Sequence, residues 1–147
     1  MLTERMKQLL AFAALGLCAL LIGGYALAFA LEPDPVEYIN DPFIVSDQPL
    51  EPGETFTFDI ERCSRYPTQF TFTQEWIDAK GDIIIHFPST LVSTDEGCNM
   101  VTSTPKEVPE ELEAGEYRMK FTVVSRGHLR THEQEVFTEP ITITTKK

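Results

Sequence analysis

The sequence predicts an all-β protein: an antiparallel β-sandwich of about seven strands carried behind one N-terminal membrane-spanning helix. Three observations lead to it. Leu9 through Leu31 are 23 consecutive uncharged residues. The chain beyond them shows repeated runs in which apolar and polar residues alternate, separated by turn residues, the signature of strands with one wet face. No stretch after Leu31 carries the longer repeat of an amphipathic helix.

At about 1.5 Å per residue the uncharged run makes a helix of roughly 34 Å, enough to cross a hydrocarbon core of about 30 Å. Residues 9–31 are therefore expected to stay as a signal anchor in contact with membrane lipid. The other reading is a cleaved signal peptide, with Ala28-Phe29-Ala30 as a small-x-small site and release of a soluble binder; the run exceeds the usual signal core of about 7–15 residues. Cys18 follows Leu17 where a lipoprotein signal has a small residue, and reads as a small apolar side chain facing lipid or another helix. Arg5 and Lys7 precede the span and the next basic residue is Arg62. Residues 1–8 should then remain cytoplasmic and the rest should be exported, periplasmic or extracellular, from a single-pass inner-membrane protein.

The exported part suits one domain. Without Glu4, Arg5 and Lys7 it holds 22 acidic and 10 basic residues, a formal charge of −12. Such a surface repels phosphate backbones, which argues against nucleic acid as a partner, and keeps an exposed domain soluble. Glu32-Pro33-Asp34-Pro35 opens it as an extended segment, because each proline disfavours helix in the residue before it. Residues 32–41 read as a stiff linker, and Asn40-Asp41-Pro42 as the turn after which the folded domain, 42–147, begins.

Within that domain a first strand is expected around Phe43–Val45. In a second, Phe56, Phe58 and Ile60 alternate with Thr55, Thr57 and Asp59. Phe70, Phe72 and Trp76 share one face of a third, which ends at Ala79-Lys80-Gly81-Asp82. Ile83, Ile85 and Phe87 define a fourth, and a short one is expected near Met100–Thr104. Tyr117, Met119, Phe121 and Val123 alternate with Arg118, Lys120 and Thr122 up to Gly127. Ile141 and Ile143 make the last, with Pro140 placing it at an edge or bulge. Cys63 and Cys98, exported and even in number, are expected to pair.

Leu112-Glu113-Ala114-Gly115-Glu116-Tyr117 resembles the tyrosine corner of immunoglobulin-like domains, in which the hydroxyl bonds the backbone a few residues upstream. Trp76 resembles their core tryptophan. The cysteines depart from the antibody pattern, since the strand of Tyr117 has none. Together with Arg62-Cys63, Trp76-Ile77-Asp78-Ala79-Lys80-Gly81, Cys98 and Ala114-Gly115-Glu116-Tyr117, the outline resembles small uncharacterised single-span membrane proteins of bacteriophage genes. That resemblance implies an immunoglobulin-like exported domain with an envelope role. It supplies no catalytic residues.

Residues for chemistry are sparse. His86, His128 and His132 are the only histidines, and there is no Gly-x-Ser-x-Gly elbow for a nucleophilic serine. His86 reads as a surface histidine. His128, His132 and Glu133 lie where a hairpin tip is expected and read as solvated rather than as a zinc site. Cys98-Asn99-Met100 lacks the histidine of a blue-copper site. Glu107, Glu110, Glu111, Glu113 and Glu116 crowd around Pro109 without a calcium-loop pattern; the first four are the candidate contact surface for a basic protein partner. No cofactor and no metal is expected. The reading is a membrane-anchored, non-enzymatic interaction module with Cys63, Cys98, Trp76, Gly115 and Tyr117 as structural residues. The alternative is a virion or envelope structural component, for which Gly16, Gly23 and Gly24 offer a weak helix-packing signal.

Overall fold

The computed structural model describes residues 3–103 and 105–145. Its contacts fall into two units, one of residues up to Pro33 with His128–Arg130 and one of Asp34–Gly127 with the chain from Thr131 onward.

The first unit is built on helix α1, Glu4–Leu31, whose 28 residues include no buried one. It starts before the expected Leu9 because residues 4–8 are good helix formers and Lys7 Nζ meets Glu4 Oε1 at 2.6 Å one turn away. Met1 and Leu2, part of the expected cytoplasmic segment, lie outside the described residues. Just beyond the helix, the Glu32 carboxylate accepts hydrogen bonds from the backbone N–H groups of His128, Leu129 (2.9 Å) and Arg130 (2.9 Å). Arg130 returns a guanidinium N–H to the Glu32 carbonyl at 3.0 Å and lies 5.9 Å from the Phe29 ring centroid.

The second unit is built of strands: β1 (Val36–Tyr38), β2 (Phe43–Ile44), β3 (Thr55–Phe56), β4 (Phe58–Ser64), β5 (Thr68–Asp78), β6 (Ile83–His86), β7 (Thr90–Thr94), β8 (Gly97–Thr102), β9 (Lys106–Glu107), β10 (Gly115–Arg126), β11 (Thr131–Phe137) and β12 (Ile141–Ile143). In one sheet β4 pairs with β1 and β2 along one side and with β8 along the other. The second has the order β11-β10-β5-β6, with β7 extending β5 and β12 extending β10. The pair β3-β9 stands apart. Every strand ladder is antiparallel.

The core lies between the two large sheets. Phe58 and Phe121 meet across them with centroids 4.8 Å apart, Phe56 packs edge-on to Trp76 at 5.7 Å, and Phe72 stacks on Phe121 at 5.2 Å. Leu50, Trp76, Val108, Phe121 and Ile141 are fully buried. The even-numbered apolar residues of β4 and β5 and the odd-numbered ones of β10 face this core, the parity read from the sequence.

Several expectations need correction. The domain has more strands than seven, because the expected second strand is divided into β3 and β4, and β1, β7, β9 and β11 are additional. The linker 32–41 is not a free spacer: Val36 is fully buried and β1 pairs with β4 from Val36↔Ser64 to Tyr38↔Arg62. Asp34 sets that entry, since its Oδ1 accepts the Val36 amide at 3.0 Å and the Ser125 hydroxyl at 2.9 Å. Ile83 is exposed rather than inward, because the register shifts between Trp76 and Ile77 and the extra residue of a bulge turns it over. The strand expected near Met100–Thr104 begins earlier, at Gly97, and Thr104 lies outside the described residues.

Two groups give the domain an alkaline limit. Burial raises the Tyr38 hydroxyl above its usual range, with Arg62 beside it opposing the rise. Lys120 is also raised, by its hydrogen bond to Glu135 and the charges of Glu135 and Glu75 against partial desolvation. Both therefore hold their protons longer when folded, and the associated stability is present in full below about pH 10 and is lost as pH rises through the folded values. The urea midpoint of the full chain should fall as pH is raised beyond about 10, less steeply in Tyr38→Phe and Lys120→Met. A flat midpoint in the parent would contradict this.

Candidate functional site

The acidic segment is held by its apolar residues. Val108 is fully buried and Leu112 is 4% exposed, so the chain from Glu107 to Glu113 is pinned at two points, and Glu107, Glu110, Glu111, Glu113 and Glu116 are left exposed. At its start β9 pairs with β3, Thr55 opposite Glu107 and Phe56 opposite Lys106. The Val108 amide donates to the Glu54 carbonyl and the Gly53 amide to the Val108 carbonyl, both at 2.8 Å. This ties the loop to the Glu51-Pro52-Gly53-Glu54 turn. The turn needs a glycine, since Gly53 has φ 84°, and is closed when Glu54 Oε2 accepts the Glu51 amide at 2.8 Å.

The pairing brings Glu51, Glu54 and Glu110 around one shallow groove of about 530 Å³. Glu51 and Glu54 thus join the acidic surface. They lie more than fifty residues from Glu110 in sequence, and the β3–β9 ladder unites them. Glu107, Glu111 and Glu113 do not line the groove. Chemically the surface offers carboxylates to lysine or arginine side chains, with attraction that salt weakens.

Cys63 and Cys98 form a disulfide across 35 residues. They stand directly opposite each other on β4 and β8, so the bond lies within one sheet. Trp76 is fully buried, as its parity required. The tyrosine corner is realised differently: among the described residues the Tyr117 hydroxyl has no hydrogen-bond partner. Its ring instead meets Trp76 edge-on at 6.3 Å and covers Gly115, where an added Cβ would sit 3.4 Å from the ring. Gly115 opens one long strand, β10, and Tyr117 lies within it.

His86 is on the surface, and its Nδ1 lies 2.8 Å from Glu75 Oε1. Glu75 is only 8% exposed, although the alternation put it on the wet face. Lys120 Nζ lies 3.6 Å from its other oxygen and 2.6 Å from Glu135, so a cross-strand pair rung covers it. His132 is 8% exposed and not solvated as expected, while Glu133 next to it is exposed on the opposite face, so the strand separates them. Among the described residues no three His, Cys, Asp or Glu side chains are placed to hold a metal ion.

The fold and its surface define a class: a chain with one apolar N-terminal helix and a disulfide-bonded domain of two facing β-sheets. The chain matches no family model and no curated protein. Among solved structures it is similar to the C-terminal domain of wzt, at 11% identity and TM-score 0.49, covering 79% of this chain and 76% of that one. It is also similar to a CARDB domain from Pyrococcus furiosus, at 10% identity and TM-score 0.44, covering 78% and 96%. A glycosyl hydrolase family 2 member from Bacteroides cellulosilyticus aligns at 9% identity and TM-score 0.45, over 71% of this chain but 15% of that one.

Proposed function

We propose that this protein is a membrane-anchored, non-enzymatic interaction module. Helix α1 spans the inner membrane with the N-terminus inside, and the immunoglobulin-like domain is held in the periplasm or outside the cell, where its acidic loop binds a basic protein partner of the envelope. One observation carries the reading: the helix has a mean hydropathy of 2.2 over its best window and none of that window is buried in the protein, so its apolar side chains need lipid to cover them. The disulfide supports export, because such bonds persist in oxidising compartments. The acidic groove of Glu51, Glu54 and Glu110 supports a basic partner.

The test is N-terminal sequencing, carbonate extraction and protease treatment of spheroplasts for the full chain expressed in a bacterium. An N-terminus at Met1 or Leu2, retention in the membrane after carbonate, and digestion from outside are expected. A soluble product starting at Leu31 would replace the anchor by a released binder. Partners captured through the loop should be lost on raising salt from about 50 to 500 mM and in the triple variant E51Q/E54Q/E110Q. Capture indifferent to both would remove the acidic surface from the proposal.

A further inference from the structure

The two sheets do not close over one another everywhere. Among the described residues β7 pairs only with β5 and β8 only with β4, so each is the edge of a different sheet. They are joined through Asp95-Glu96. Beneath them lies a cleft of about 250 Å³, with Phe70, Phe72 and Ile60 on its floor and Val92 and Val101 on its rims.

Its polar lining is unlike the rest of the domain. In a part of the chain with formal charge −12, this cleft is lined by two of the ten basic residues, Arg62 and Lys106, and by no carboxylate. Neither cation forms an ion pair among the described residues. Arg62 has the parity of Phe58 and Ile60, an arginine on the inward face of β4, with its guanidinium 5.1 Å above the Phe70 ring. That stacking occupies one face of the guanidinium plane, and the Tyr38 hydroxyl takes up part of its N–H edge, so an anion would bind through the remaining N–H groups beside Tyr38. Lys106 lies toward the other end, opposite Phe56 and six residues from Arg62 along the strands, roughly 20 Å.

Gln74 supplies an independent sign. It is an inward residue of β5, 9% exposed, lines the same cleft, and its side-chain amide makes no hydrogen bond among the described residues. The amide is not sealed from solvent but opens into the cleft, where a ligand's polar group would take the place of water. Nothing in the acidic loop uses this cleft, so the inference stands apart from the reading above.

We propose that the cleft binds a small elongated aromatic anion, with its carboxylate on Arg62, its ring on the phenylalanine floor, and a hydrogen-bonding group at the far end on Gln74. The ring is specified by the floor, since aromatic walls favour offset or edge contacts with another flat ring. The charge is specified by a guanidinium in a cleft that no protein carboxylate enters. Lys106 contributes longer-range attraction at the mouth.

The test is equilibrium dialysis of 6-hydroxy-2-naphthoate against the full chain in lipid nanodiscs, with empty nanodiscs subtracted. Saturable one-to-one binding is expected. The neutral 6-hydroxy-2-naphthamide should bind about tenfold more weakly, and 2-naphthoate, lacking the hydroxyl, about fivefold. Arg62→Gln should abolish the preference for carboxylate over amide. Gln74→Leu should abolish the preference for the hydroxylated ring while leaving that for charge. Val92→Trp, which fills the cleft from its rim, should remove binding of all three probes, with the fold of every variant checked by circular dichroism and by the disulfide. Lack of saturable binding above empty discs overturns the proposal. So does binding that a folded Val92→Trp retains, or equal affinity for acid and amide in the parent. A failure of Arg62→Gln to fold leaves the Val92→Trp and probe comparisons to decide.

Discussion

Phe121→Ala is expected to destabilise the β domain by about 3–5 kcal/mol, the usual cost of removing a buried phenylalanine where the surroundings cannot collapse. Phe121 is fully buried and joins the two sheets at their centre, 4.8 Å from Phe58 of the opposite sheet and 5.2 Å from Phe72 of its own. Two rings would lose their partner at once, and rigid β ladders on both sides oppose refilling the space. Since a domain of this size has about 5–15 kcal/mol in all, the variant should lose a large share of its stability margin. The chain has one tryptophan, Trp76, buried in the same core, so its fluorescence during urea titration of the full chain reports the loss directly. Phe121→Leu should lose less than half as much. A loss under about 1 kcal/mol for the alanine variant would mean that the sheets are not closed at this point.

Replacing both cysteines, C63A/C98A, should cost about 3–4 kcal/mol from released loop entropy for a closed segment of this length. The consequence is local before it is global. Most of β8 is exposed, and among the described residues its only strand partner is β4, so the disulfide is the main covalent restraint on an edge with little burial. Hydrogen exchange should accelerate first over residues 97–102 and the melting temperature should fall by roughly 12–25 °C. The parent treated with reductant should match the double variant. A parent whose melting temperature is unmoved by reduction would show that the β4–β8 ladder holds without it.

The two predictions draw on different kinds of information, and the difference runs through the whole chain. Phe56, Phe58 and Ile60, Phe70 to Trp76, and Tyr117 to Val123 were legible because a strand with one side on a core must alternate, and that alternation is written locally. The pairing of Cys63 with Cys98 followed from export and even number. Strands β1, β7 and β11 were not legible, because edges bury few side chains and β11 turns His132 and Gln134 inward with only Val136 to mark a core face. The outcome at Ile83 turned on one extra residue in a bulge. Of the candidate site, Glu107 to Glu113 stood out as a run, while Glu51 and Glu54 joined it only through the β3–β9 ladder.

By itself, then, the sequence determined the apolar helix, the antiparallel character of the domain, its charge, and the identity of the central core residues, since each follows from composition or from the spacing of near neighbours. Only the tertiary structure decided that Glu75 is buried beneath Lys120 and His86, that Tyr117 covers Gly115 instead of bonding its backbone, and that Arg62 and Gln74 line an uncovered gap between the sheet edges. Alternation tells which residues share a face. What lies across from that face depends on strands distant in sequence, whose pairing is settled by the packing of the whole domain.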